Sequence, residues 1–189
     1  MLGFFGLIHE WVDQDLLCAI ADAFPEATLA LIGKVQVDDS RLRSRPNIML
    51  LGQKPYAELP RYSAYFDVGL IPFEYNDLTL AVNPIKLREY LSAGMPVVAT
   101  ALPEIALLDD NPMLRTAMTA ADHIAGIRHF LEVCPDKSAR EDAARAMMTE
   151  SWLGRCAEMA RLTDERLSNR TTGGSRSIAG EKSVSGTRI

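Results

Sequence analysis

Short apolar runs alternate along this chain with segments of helical periodicity, and that alternation constrains the fold more than any other feature. A run that is apolar at successive positions has no face for water, so it belongs in a parallel sheet covered on both sides by helices. Leu2 to Gly6, Thr28 to Ile32, Ile48 to Leu51, Val68 to Pro72 and Val97 to Ala99 read as such strands. The stretch from Leu107 to Met118 is ambiguous and leaves room for a sixth, short strand near Arg115 to Met118. Between them, Asp13 to Phe24 repeats apolar residues at Leu16, Leu17, Ile20 and Phe24, the spacing of one helix face. Tyr56 to Tyr65 predicts a short helix limited by Pro60. Ala121 to Leu131 and Lys137 to Leu167 predict two more, the second broken around Trp152-Leu153-Gly154. Val35 to Pro46 is polar and charged, hence a surface connection. From Ser168 the composition shifts to Ser, Thr, Gly and Arg, which predicts one folded domain over 1–167 and a disordered tail over 168–189.

Composition narrows the function classes. A chain of 189 residues suffices for one well-buried domain and is short for two. A net charge of −5 argues against a nucleic-acid partner, which asks for a basic face. Cys18, Cys134 and Cys156 are odd in number and far apart, so they read as reduced thiols and not as a disulfide frame or zinc site. His123 and His129 have no partners at ligand spacing, and no metal is expected. No apolar run approaches the roughly 20 residues that span a bilayer, and no charged leader with a cleavage signal is visible. The expected location is cytoplasmic, with a place at the inner face of a membrane left open.

The richest segment is NPIKLREYLSAGMPVVAT, Asn83 to Thr100. Asn83 reads as an N-cap and Pro84 as the first helical residue, where a missing N–H costs nothing. Leu87, Tyr90 and Leu91 form an apolar face, and Gly94 and Pro96 stop the helix before a buried strand. Lys86 and Glu89, three apart, project from one side of it. Free amides, a positive dipole end, a lysine and then a carboxylate suit a phosphorylated, hydroxyl-bearing ligand, with Lys86 on a phosphate and Glu89 accepting from vicinal sugar hydroxyls. That is a nucleotide site in outline.

The pattern P-x-K-x-x-E-Y-L-x-x-G-x-P-V-V resembles the donor-binding segment in the C-terminal half of GT-B glycosyltransferases. Gly3 to Gly6, Leu29 to Gly33, Asn47 to Gly52 and Phe66 to Pro72 resemble four further pieces of that half, in register, over roughly residues 1 to 166. The resemblance implies a single Rossmann-like three-layer α/β domain with about six parallel strands, one half of a GT-B fold. It implies that Glu89 holds the ribose of a nucleotide-diphosphate sugar, with Gly6 and Lys86 at the phosphates. His9, Asn83 and Pro84 become candidate phosphate or sugar contacts, and Gly52, Gln53 and Lys54 a candidate base pocket read through backbone groups. Ligands would meet the loops after Phe5, Ile32, Leu51, Ile71 and Ala99. The donor is a substrate, and no cofactor is implied.

Three positions depart from the family pattern. Leu7 and Asp13 stand where an arginine and a lysine are frequent, and Ala81 stands where a second acid often serves the transferred sugar. The resemblance also implies a missing N-terminal half that binds the acceptor, and a full enzyme that can sit peripherally on a membrane. The expected activity is sugar transfer to a polysaccharide or glycoconjugate. Its rivals are a non-catalytic interaction module derived from a transferase half and a fragment of a sugar-nucleotide epimerase. No serine elbow, Walker lysine loop or HExxH is present, and Gly3 to Gly6 lacks the G-x-G-x-x-G of a nicotinamide site.

Overall fold

The structure is a computed structural model and describes residues 1–150 and 152–173. Six strands form one sheet: β1 (Leu2–Phe5), β2 (Leu29–Ile32), β3 (Ile48–Gly52), β4 (Val68–Ile71), β5 (Val97–Thr100) and β6 (Leu114–Ala117). Every pairing is parallel and the order is β3-β2-β1-β4-β5-β6. The strands β1, β2, β4 and β5 are buried at each position, as uninterrupted apolar runs require. The expected sixth strand forms in register with β5, Val97 beside Leu114 and Thr100 beside Ala117.

The helices are α1 (Gln14–Ala23), α2 (Ser40–Arg43), α3 (Leu59–Ser63), α4 (Asp77–Leu80), α5 (Ile85–Ser92), α6 (Pro103–Ala106), α7 (Ala120–Val133), α8 (Lys137–Ala146) and α9 (Trp152–Gly173). From β1 the chain steps outward through β2 to β3, then returns and steps the other way through β4, β5 and β6. Right-handed crossovers in opposite directions put their helices on opposite faces. Accordingly α1 packs with α7, and α5 packs with α8. The chain divides after Met148 into the sheet unit and a second unit, in which α9 is the helix among the described residues.

Four expectations change. Pro60 does not limit a helix but sits in the first turn of α3, behind a short 3-10 turn at Tyr56–Glu58. The connection from Val35 to Pro46 contains α2, whose Leu42 is fully buried, so it is partly core. The break expected around Trp152 falls earlier, where α8 gives way to a 3-10 turn at Met147–Glu150. Helix α9 continues to Gly173, past the Ser168 where the tail was expected to begin. The remainder of that expected tail, 174–189, lies outside the described residues.

One contact fixes α5 to the centre of the sheet. Leu87, Tyr90 and Leu91 are fully buried, and the Tyr90 hydroxyl accepts the Phe5 backbone N–H at 3.0 Å. Burying an aromatic ring gains about 4–6 kcal/mol, whereas an unpartnered buried hydroxyl costs about 1–3 kcal/mol, so the ring drives the burial and the bond spares its cost. Burial also pushes the Tyr90 phenol well above its usual range, so the group stays neutral. The helix is thereby indexed to the end of β1.

Candidate functional site

The strands β1, β2 and β3 run out onto Gly6, Gly33 and Gly52 at one level: Gly6 N–H donates to Ile32 O at 2.8 Å and Gly33 N–H to Gly52 O at 3.0 Å. Only glycine fits at the first two. A Cβ on Gly33 would stand 1.8 Å from Gly6 O, and one on Gly6 would stand 2.1 Å from Lys86 Cε. Their φ values, 156° and 153°, also lie where side chains are rare. Bare backbone thus forms the floor at the carboxyl ends of the strands, beside the switch point between β1 and β4.

Above that floor lies a cavity of about 430 Å³. Phe5, Gly6, Leu7, Lys34, Gln53 and Lys54 come to it from the strand ends, and Lys86 and Glu89 from α5. Three lysines against one carboxylate give the space a cationic bias that suits an anion. Lys86 lies across Gly6, and its burial holds its ammonium below the usual lysine range, an effect that Glu89 partly opposes. A phosphate beside it would relieve that cost. Glu89 accepts a hydrogen bond from the Tyr56 hydroxyl at 2.8 Å, which pushes the Tyr56 phenol up.

The N-terminus of α5 differs from its expected form. The helix begins at Ile85, Pro84 is the capping position, and no side chain caps it. The Asn83 amide oxygen accepts instead from the Arg88 guanidinium, because a charged donor outcompetes neutral backbone amides. Asn83 and Pro84 do not line the main cavity. They border a neighbouring groove of about 300 Å³ with Trp11, Phe73 and Val82, and Lys86 lines both spaces. His9 is outside the main cavity as well: its ring stacks on Trp11, centroids 4.4 Å apart, and its Nδ1 is buried without a hydrogen-bond partner among the described residues.

The five expected loops do not all converge. Those after β1, β2 and β3 line the main cavity, and the loop after β4 reaches only the neighbouring groove, through Phe73. The end of β5 is tied up, since the Thr100 hydroxyl donates to Phe73 O at 2.7 Å and accepts from Phe73 N–H at 3.1 Å. Of the departures, Asp13 has an occupation of its own: its carboxylate caps α1 by accepting from Leu16 N–H at 2.7 Å. Leu7 lines the cavity itself and gives it an apolar margin. Sequence reasoning missed the contributions of Gly33, Lys34 and Tyr90. The first two were readable, because Gly33-Lys34 ends the second apolar run as Gly6 ends the first. Among the described residues no three His, Cys, Asp or Glu side chains gather as a metal site, and no helix is long and apolar enough to cross a membrane.

A six-stranded parallel sheet in this order, with a glycine-floored cavity beside its switch point, defines a Rossmann-like α/β domain. The chain belongs to the family described as glycosyl transferases group 1, whose model matches residues 1–144. It is 28% identical over 166 residues to the Bacillus subtilis (strain 168) protein named "Putative teichuronic acid biosynthesis glycosyltransferase TuaH", covering 80% of this chain and 40% of that relative. Among solved structures, S. aureus TarM in complex with fondaparinux, alpha-GlcNAc-glycerol and UDP matches with a TM-score of 0.65 at 16% identity, over 86% of this chain and 34% of that one. Anabaena Alr3699/HepE in complex with UDP and glucose matches with a TM-score of 0.60 at 18% identity, over 86% of this chain and 47% of that one. At such identities the likeness shows the fold, that of one half of a GT-B glycosyltransferase. The chain therefore spans less than half the length of these three relatives.

Proposed function

We propose that this chain is the donor-binding, C-terminal half of a GT-B glycosyltransferase and holds a nucleotide-diphosphate sugar for transfer to a polysaccharide or glycoconjugate. The observation that carries this reading is the meeting of Lys86 and Glu89, one helical turn apart, in one cavity against the bare backbone of Gly6. In it the diphosphate lies over Gly6 and beside Lys86, near the uncapped start of α5, and the ribose hydroxyls donate to Glu89. The base lies past Gly52, among Gln53 and Lys54. Transfer leaves a nucleoside diphosphate, whose growing negative charge Lys86 and the helix dipole stabilise without a metal or cofactor. Asn83 and Pro84 are assigned to the sugar side, where the neighbouring groove adjoins through Lys86, and His9 joins them through its stack on Trp11, which lines that groove. The acceptor and the catalytic base belong to the remainder of a longer protein. That protein acts in the cytoplasm, peripherally at the inner face of the membrane. Among the relatives named above, TarM and HepE bind UDP and TuaH is named for teichuronic acid biosynthesis, which supports the donor class and cell-surface assembly.

Calorimetry with UDP-, GDP- and TDP-sugars tests this. One of them is expected to bind, and Glu89→Ala is expected to weaken it by at least about tenfold, the loss of two charge-assisted hydrogen bonds. Binding that ignores Glu89→Ala would remove the carboxylate from the site. A second reading, a non-catalytic interaction module, draws on Leu7, which puts an apolar side chain in the cavity where the family often has an arginine. A folded chain that binds none of these donors would favour it.

A further inference from the structure

We propose that Tyr56 is a positioning residue that holds the place of a ligand hydroxyl on Glu89 and is displaced by the pentose of the incoming nucleotide. The proposal rests on the reading of Glu89 as the pentose-binding carboxylate. Tyr56 begins the short 3-10 turn after β3, while Glu89 lies in the middle of α5. The tyrosine is 74% exposed, so packing does not hold its ring at the cavity rim. Its bond to Glu89 does, with the hydroxyl 2.8 Å from Oε1. An ionised carboxylate only accepts, and a ribose hydroxyl only helps it by donating. Tyr56 therefore makes the interaction that the ligand is assigned to make, on one of the two oxygens the ligand would use.

The surroundings give the displaced ring somewhere to go. Tyr56 and Glu89 both line the main cavity and both line a second one of about 330 Å³, bordered by Leu59, Pro60, Ser63 and Met95. The hydrogen-bonded pair stands, with Phe5 and Leu59, where the two spaces meet. Breaking it frees the carboxylate toward the pentose and lets the ring swing toward the second cavity. A nucleotide without pentose hydroxyls has nothing to offer Glu89, so it binds with the pair intact.

Two consequences of opposite kind follow for Tyr56→Phe. A ribonucleotide no longer has to break a bond before making its own, so its affinity rises, on the order of fivefold for one hydrogen bond. A 2′,3′-dideoxynucleotide gains nothing, and is weakened to the extent that Glu89 is left unpartnered beside it. The ratio of the two affinities thus widens, whereas a merely structural role would move both alike.

The test is calorimetric titration of UDP and GDP, each paired with its 2′,3′-dideoxy counterpart, into the unaltered chain, Tyr56→Phe and Glu89→Gln. Widening of the ribo-to-dideoxy ratio by several fold in Tyr56→Phe supports the proposal. An unchanged ratio, or ribonucleotide binding weakened by Tyr56→Phe, overturns it while leaving the site reading intact. If neither ribonucleotide binds, this inference fails; if TDP does not bind either, or Glu89→Gln binds nucleotide as the unaltered chain does, the site reading fails with it. Because Tyr56 is exposed, its thermal unfolding midpoint is expected to stay put, which verifies that the variant is folded.

Discussion

Lys86 carries the electrostatic weight of the cavity, and its environment gives it a pH signature. Burial lowers its ammonium below the ordinary value of about 10.4, so as pH rises it loses its charge earlier than a free lysine. Nucleotide affinity is expected to fall in that alkaline window, and binding there to draw a proton from solution. Calorimetry in two buffers of different ionisation enthalpy measures the uptake, and Lys86→Met is expected to abolish it. The stability linkage has the matching sign. Within the window the unfolded chain holds the proton and the folded one does not, so the Lys86 contribution to stability rises with pH and is lost as pH falls through the folded value. Gly33 is the other residue on which the site depends. Gly33→Ala is expected to cost at least about 2 kcal/mol in urea unfolding, because the new Cβ has to push Gly6 O out of the floor.

At the scale of elements, the site depends on how α5 is seated. Tyr90→Phe leaves the Phe5 N–H without its acceptor in the core and is expected to cost about 1–3 kcal/mol in urea unfolding. It is also expected to weaken nucleotide binding, since Lys86 and Glu89 ride on the same helix. Five strands were legible in the sequence because each is an apolar run with few other places to go, whereas β6, Leu-Arg-Thr-Ala, is half polar and stayed ambiguous. The apolar face of α5 was legible for the same kind of reason, through Leu87, Tyr90 and Leu91. Less was visible where a structure is too short to show a period: α2 and α4 are four residues each, and α4 is held by a reciprocal cap between Asn76 and Thr79. Local rules also misplaced the start of α5, because its cap was lost to Arg88, a competitor that capping patterns do not consider. The site divides likewise. Lys86 and Glu89 were readable from their spacing and Gly6 from its place at the end of an apolar run, whereas the Tyr56–Glu89 bond joins distant positions that only the folded sheet brings together.

For the whole molecule, coverage of 40% of TuaH sets what this chain is expected to do alone. It is expected to bind a nucleotide sugar and turn none over, so that chromatography of a donor incubation shows no released nucleoside diphosphate above background. The full-length protein is expected to release it in the presence of acceptor. The order of the sheet has another consequence, for how the chain reaches this state. Leu2 pairs with Leu29 on one side and with Val68 on the other. A nascent chain can therefore assemble β1, β2 and β3 while the far margin of β1 stays bare until β4 has been synthesised. That margin meets β4 through Leu2 and Gly3, in a strand buried at every position, and an open strand of this kind invites pairing with a neighbouring molecule. Recovery from denaturant should accordingly fall as protein concentration rises, and a ribosome-bound intermediate ending before Val68 should be the species that chaperones hold.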